Sequence, residues 1–246
     1  MSEYISLRGK VYLAEVINGV AGSIKWRGNM PALEVAIAGE VTEHNESWSG
    51  VDALDYIETR AQSVTWSGTM EELTPENEAF LLNGTAQQIA GGTITNRSLG
   101  TVSAGQEIML GEYNLSSVVI KDSSATPATV DPAKYELDAP FGTVKFLDVT
   151  GLTMPLTYSA TAGTASATTI GTDADKEYML YFKGINKTTH KKVAMELWRV
   201  RKDPDSTFPL INEELASYDV SGRCLADASK FEDAKLGPFG RFVRID

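Results

Sequence analysis

The chain has one cysteine, two histidines and no apolar run near the roughly 18 residues a membrane-crossing helix needs. The single thiol, Cys224, excludes an internal disulfide framework and suits a reducing compartment. His44 and His190 stand in segments that read as loops, with no partner at metal-ligand spacing, so no metal or other cofactor is expected. No apolar segment of the kind a Sec signal requires is visible in MSEYISLRGK. Also missing are a G-x-S-x-G elbow, a Walker A loop and a dinucleotide-binding glycine fingerprint. Asp173 with Asp175, and Asp203 with Asp205, resemble fragments of a calcium loop, but the other ligands are lacking. Cys224 sits on the apolar side of a predicted strand, as a core thiol does. These absences point away from an enzyme.

Basic residues are scarce too. Against 33 Asp and Glu stand 22 Lys and Arg, a net charge of -11 that opposes general binding to nucleic-acid phosphates. The imbalance is uneven: residues 1–90 hold 13 acidic and 5 basic side chains, the rest 20 and 17. Glu40 to Glu58 contains six acidic residues and no Lys or Arg, whereas Lys176 to Lys202 contains eight basic residues and two acidic ones. Opposite patches on one chain can make complementary contacts between copies of it; two solvated faces are the bland alternative.

What is present is alternation. Val193, Met195 and Leu197 alternate with Lys192, Ala194 and Glu196, and Asp203-Pro204 closes that strand. Tyr218, Val220 and Cys224 make a second apolar set, and Ser6 to Ile17 reads as a further strand. Leu33, Val35, Ile37 and Val41 oppose Glu34, Ala36, Ala38 and Glu40. Val64, Trp66 and Met70 oppose Ser63, Thr65, Ser67 and Thr69. Between those two strands, Glu43 to Glu58 reads as a long acidic loop with Trp48 near its middle. Thr74-Pro75, with Glu76 and Glu78, predicts the start of one short helix that Gly84 stops. Residues 106–175 are richer in Ser, Thr, Ala and Gly and predict an inserted β subdomain, with Ala162 to Thr172 as a featureless return. The remaining parts, 1–105 and 176–246, would form the β core.

The segments GNMPALEVAIAGEVTEHNESWSG, SVTWSGTMEELTPENEAFLLNG and MELWRVRKDPDSTFPLINEELASYDVSGRCLAD, in that order, resemble the tail tube proteins of long-tailed bacteriophages. YELDAPFGTVKFLD is similar to a β insertion found in some members. The resemblance implies a mainly β, sandwich or barrel-like tail tube fold with a flanking helix. It further implies hexameric rings stacked into a tube that conducts the genome, within a virion made in a bacterial cytoplasm. Partners would be other copies, the tape measure protein, the tail terminator and the distal tail proteins, with transient non-adhesive passage of DNA and no membrane binding.

Three sets of residues follow as expectations. Glu43, Glu46, Trp48, Asp52, Asp55 and Glu58 would meet the adjacent ring. Glu34, Glu40, Ser63, Thr65 and Ser67 would face the lumen, since small polar and acidic side chains offer DNA neither cations nor aromatic platforms. Lys187, Lys191, Lys192, Arg199, Arg201 and Lys202 would form a basic docking edge for the acidic loop. Other phage virion β proteins (a tail terminator or a decoration protein) and a carbohydrate-binding or adhesin module are the competing classes.

Overall fold

The computed structural model describes residues 4–245. The chain is mainly β and divides into two compact units, one of residues 1–85 with 168–246 and one of residues 86–167. The first unit opens with β1 (Leu7–Ile17), β2 (Val20–Ala21), β3 (Lys25–Trp26), β4 (Ala32–Asn45) and β5 (Leu54–Met70), then helix α1 (Pro75–Leu81). The second holds β6 (Ala86–Ile89), β7 (Gly92–Gly100), β8 (Glu107–Met109), β9 (Ser116–Lys121), β10 (Tyr135–Asp138), β11 (Thr143–Phe146), β12 (Leu156–Ala162) and β13 (Ala165–Thr168, whose last residue falls to the first unit). The chain then returns with β14 (Glu177–Asn186), β15 (Lys192–Lys202), β16 (Tyr218–Cys224) and β17 (Gly240–Ile245).

In the first unit one nine-stranded antiparallel sheet runs β2-β1-β14-β15-β16-β5-β4, with β3 added to β1 and β17 to β15. β15 carries two partners along one edge: Lys192–Leu197 pairs with β17, and Val200–Lys202 pairs with β16. The switch falls where Trp198 and Arg199 bulge out of the ladder with β14, because an extra residue bends and twists a strand. One apolar core results, with Leu13, Val64, Trp66, Met70, Leu180, Leu197, Val200 and Val220 buried from β1, β5, β14, β15 and β16. Helix α1 adds Phe80 and Leu81 to it. The Thr74 hydroxyl accepts the Asn77 amide at 3.2 Å, as the predicted cap requires. The helix ends one turn before Gly84, and it is Asn83 that takes the left-handed conformation, φ +49°.

The second unit is a separate sandwich-like body of two three-stranded sheets, β10-β11-β8 and β7-β12-β9. Its own core includes Ile120, Val144, Phe146 and Leu156, and the buried Tyr158 hydroxyl donates to the Leu110 carbonyl at 2.9 Å. Its bounds, 86–167, begin earlier and end earlier than the 106–175 expected for the insertion. The cause is long-range pairing: β7 hydrogen-bonds to β12, which draws residues 92–100 out of the predicted core region. The stretch from Ala162 to Thr172 is not featureless either, because it contains β13, paired with β6.

Candidate assembly surface

Strands β4 and β5 form one long antiparallel hairpin whose ladder runs from Ala32↔Thr69 to Asn45↔Leu54. The predicted loop from Glu43 to Glu58 is therefore mostly strand, and the connection shrinks to Glu46–Ala53. β-Branched and aromatic residues (Val41, Thr42, Tyr56, Ile57, Thr59) supply the strand preference that the acidic residues between them conceal. His44 lies in β4 rather than in a loop, and its Nδ1 sits 2.7 Å from an Asp55 carboxylate oxygen.

The hairpin has two halves. Its base, at Val64–Met70, is flanked by β16 on one side and β4 on the other. Among the described residues, no strand except β4 pairs with β5 beyond Val64, so the distal half is a two-stranded ribbon of roughly 25 Å at about 3.3 Å per residue. Register shifts at Arg60 and Asp55 interrupt its ladder. Cross-strand partners share a face, so Val41 and Ile57 continue the side on which Leu33, Val35 and Val64 face the core. No core lies beneath them. Ile37 is 75% exposed, and Val41, Leu54, Tyr56 and Ile57 are exposed as well.

At the tip, Trp48 is 85% exposed, while Glu46 is buried. One Glu46 carboxylate oxygen accepts the Trp48 and Ser49 amides, each at 2.9 Å, and the other accepts the Ser49 hydroxyl. These bonds, led by the Ser49 hydroxyl, hold the Glu46 carboxyl below its ordinary pKa. Glu46 thus organises the turn and does not offer its charge to a partner. Glu43 shares a face with Ile57, and Glu58 lies opposite it with Thr42. Asp52, at φ +52°, belongs to the turn itself.

The expected lumen set does come together. Glu34 pairs with Ser67, Ala36 with Thr65 and Ala38 with Ser63, giving one continuous exposed face of small and acidic residues that Glu40 extends along β4. β16 widens it with Asp219, Ser221 and Arg223, which sequence reading missed because alternation does not say which strands adjoin. Thr69 donates to Asp219 at 2.8 Å, and Arg223 lies 3.9 Å from Asp203.

The basic docking edge does not survive as one feature. Lys187, Lys191 and Lys192 lie at the turn between β14 and β15, whereas Arg199, Arg201 and Lys202 lie at the far end of β15. Arg199 makes a two-pronged pair with Glu177 at 2.8 and 2.9 Å, and Arg201 pairs with Asp175. Lys202 is buried, its ammonium donates to the Asp203 carbonyl at 3.2 Å, and burial pushes its pKa down. Local acids thus satisfy Arg199 and Arg201, while a backbone carbonyl takes the Lys202 ammonium. Among the described residues, no group of three or more His, Cys, Asp or Glu is placed to hold a metal ion, and no helix is long and apolar enough to cross a membrane.

A family model described as "Protein of unknown function UCP028589" matches residues 4–243. The chain belongs to this family. No curated protein matches it. The UCP028589 match takes in both compact units, so the second unit lies within the extent of the family model.

Proposed function

We propose that this protein is a structural subunit that assembles head to tail with copies of itself into stacked hexameric rings, forming the conduit of a phage tail. The observation that carries the reading is the distal β4–β5 ribbon, an arm with Val41, Leu54 and Ile57 along one side and nothing among the described residues covering them. A two-stranded ribbon is marginally stable alone in water, and clustered exposed apolar residues mark contact surfaces. In a stack of rings the arm, with Trp48 at its tip, packs on the adjacent copy.

The face of Glu34, Glu40, Ser63, Thr65 and Ser67, widened by Ser221, fits the wall of a DNA channel. Small hydroxyl and methyl groups give bases nothing to stack on. A carboxylate repels a phosphate by about 1 kcal/mol at contact in water, less with salt. Arg223 is a cation there, with Asp203 beside it.

Negative-stain electron microscopy of the purified protein tests the reading, alongside a variant in which residues 40–61 are replaced by Asn-Gly. Rings of uniform diameter or tubes from the wild type, and folded monomers from the shortened variant, are expected. Equal assembly by both would remove the arm from the contact. Wild-type protein that stays monomeric at high concentration and binds glycans would replace this reading with an adhesin.

A further inference from the structure

The connection between β15 and β16 has an anchored base and a bare tip. Asn83 donates to the Pro204 carbonyl at 3.1 Å, and the Ser206 hydroxyl donates to the Leu81 carbonyl at 2.8 Å. The Phe208 ring stacks on Tyr218 with centroids 5.2 Å apart, and Ala216 packs against the core. Between these anchors Leu210, Ile211 and Leu215 are 84, 97 and 100% exposed. Single exposed aliphatics are ordinary, but three within six residues on an anchored loop form a hydrophobic knob. Glu213 and Glu214 lie among them, and neither makes an ion pair among the described residues.

The same unit carries a socket. An apolar cleft of about 730 Å³ opens between the inner face of β1, β14 and β15 and the unpaired edge of β4, walled by Met30, Leu33, Phe182, Met195 and Phe242. Arg8 lies in its rim, and Arg244 lines a small adjoining cavity that shares Leu7 and Phe242 with it. Neither arginine has a carboxylate partner among the described residues; Arg8 bonds only to its neighbouring carbonyl, Leu7. The aliphatic tip matches the cleft's apolar wall, and Glu213 and Glu214 match Arg8 and Arg244; Glu34 also lines the cleft.

We infer that the 210–215 knob of one copy seats in the Met30–Phe242 cleft of a second copy, with Glu213 and Glu214 facing Arg8 and Arg244. The inference rests on the proposed self-assembly and names a contact within it. Its occupant is another copy because every chain carries both halves. Since knob and cleft are different surfaces, the contact is heterologous and propagates into a ring or a stack. The cleft suits the knob better than the arm, whose apolar residues are spread along the ribbon rather than gathered at a point.

Cysteine pairing tests this directly. The native Cys224 is buried, and burial pushes its thiol pKa up to about 11, so it stays inert in the assay. The variant Ile211→Cys with Met30→Cys, mildly oxidised, should give a covalent ladder of oligomers, whereas either single variant gives no more than dimers. Independently, Glu213→Lys with Glu214→Lys should raise the protein concentration needed for assembly roughly tenfold, and adding Arg8→Glu with Arg244→Glu should restore it. Circular dichroism melts check that each variant is folded. Rings seen by microscopy without a ladder overturn the knob-and-cleft contact and leave the tube reading standing. Neither rings nor a ladder sinks both. A disulfide closed within one chain, a ladder from Trp48→Cys with Met30→Cys instead, or charge swaps that fail to restore assembly would each reject the assignment.

Discussion

The two halves of the β4–β5 hairpin are built from the same strands, with the same alternation, and meet opposite fates. At the base, Val64, Trp66 and Met70 are buried by β1, β14, β15 and helix α1. In the arm, Val41 and Ile57 occupy the equivalent side and lie open. What differs is the neighbour: β16 ends its pairing at Val64, and no strand among the described residues replaces it. Burial is thus a property of what comes back to cover a strand, not of the strand. Exposed Val41, Leu54 and Ile57 over the uncovered half are what the proposed contact surface rests on.

The largest test of this contrast compares two tryptophans. Trp66→Ala in the base should cost about 3–5 kcal/mol and lower the melting temperature sharply, as expected for a large side chain that is 2% exposed. Trp48→Ala in the arm should change monomer stability by no more than about 0.5 kcal/mol while reducing assembly. Thermal melts of both, with light scattering for assembly, decide it; equal destabilisation would mean that the arm is packed onto its own chain.

A smaller effect separates the two halves along the opposite face. Glu34 lies at the base and Glu40 in the arm, both exposed. Each Glu→Lys change should leave folding intact and turn a repulsion of about 1 kcal/mol per contact into an attraction. In assembled particles, Glu34→Lys should slow DNA release several-fold, by an amount that falls as salt rises. If Glu40→Lys slows release equally, the channel wall extends along the arm; an unchanged rate for both removes the lumen assignment.

The smallest effect is at the tip. The Glu46 carboxyl is held below its usual value of 4.5, so its contribution to the turn is present above that pH and is lost as the pH falls through the lower folded value. Hydrogen exchange at the Trp48 and Ser49 amides should therefore quicken as the pH falls below the usual carboxylate range, relative to its intrinsic rate, with base amides such as Val64 unaffected. Glu46→Gln should show the faster exchange at every pH.

Much of the scaffold was legible in the sequence. The alternation at Val193–Leu197, Tyr218–Cys224 and Val64–Met70 marked residues that the core buries wholly or in part, and the Thr74-Pro75 cap located the helix start. Trp66 was readable as core and Trp48 as exposed. The arm was hidden because Glu43, Glu46, Asp55 and Glu58 break the apolar pattern, and acidic stretches read as loops although the backbone ladder tolerates any exposed side chain. The basic edge misled for a related reason. A charge count along the chain cannot see that Glu177 and Asp175 fold back onto Arg199 and Arg201, or that Lys202 turns inward. The knob at Leu210–Leu215 carried no signal, since exposed aliphatics in a loop look like any short apolar cluster.

By itself, then, the sequence determined much of the local half of the molecule: where the alternating strands of the core lie, which side of each is apolar, and where helix α1 begins. Those follow from side-chain periodicity and capping, which act over a few residues. Tertiary structure alone decided which apolar sides become core and which stay open, which charges are neutralised at home, and where residues 86–167 separate as their own unit. Each of these depends on strands far apart in the chain meeting, as β7 meets β12 and β5 meets β16.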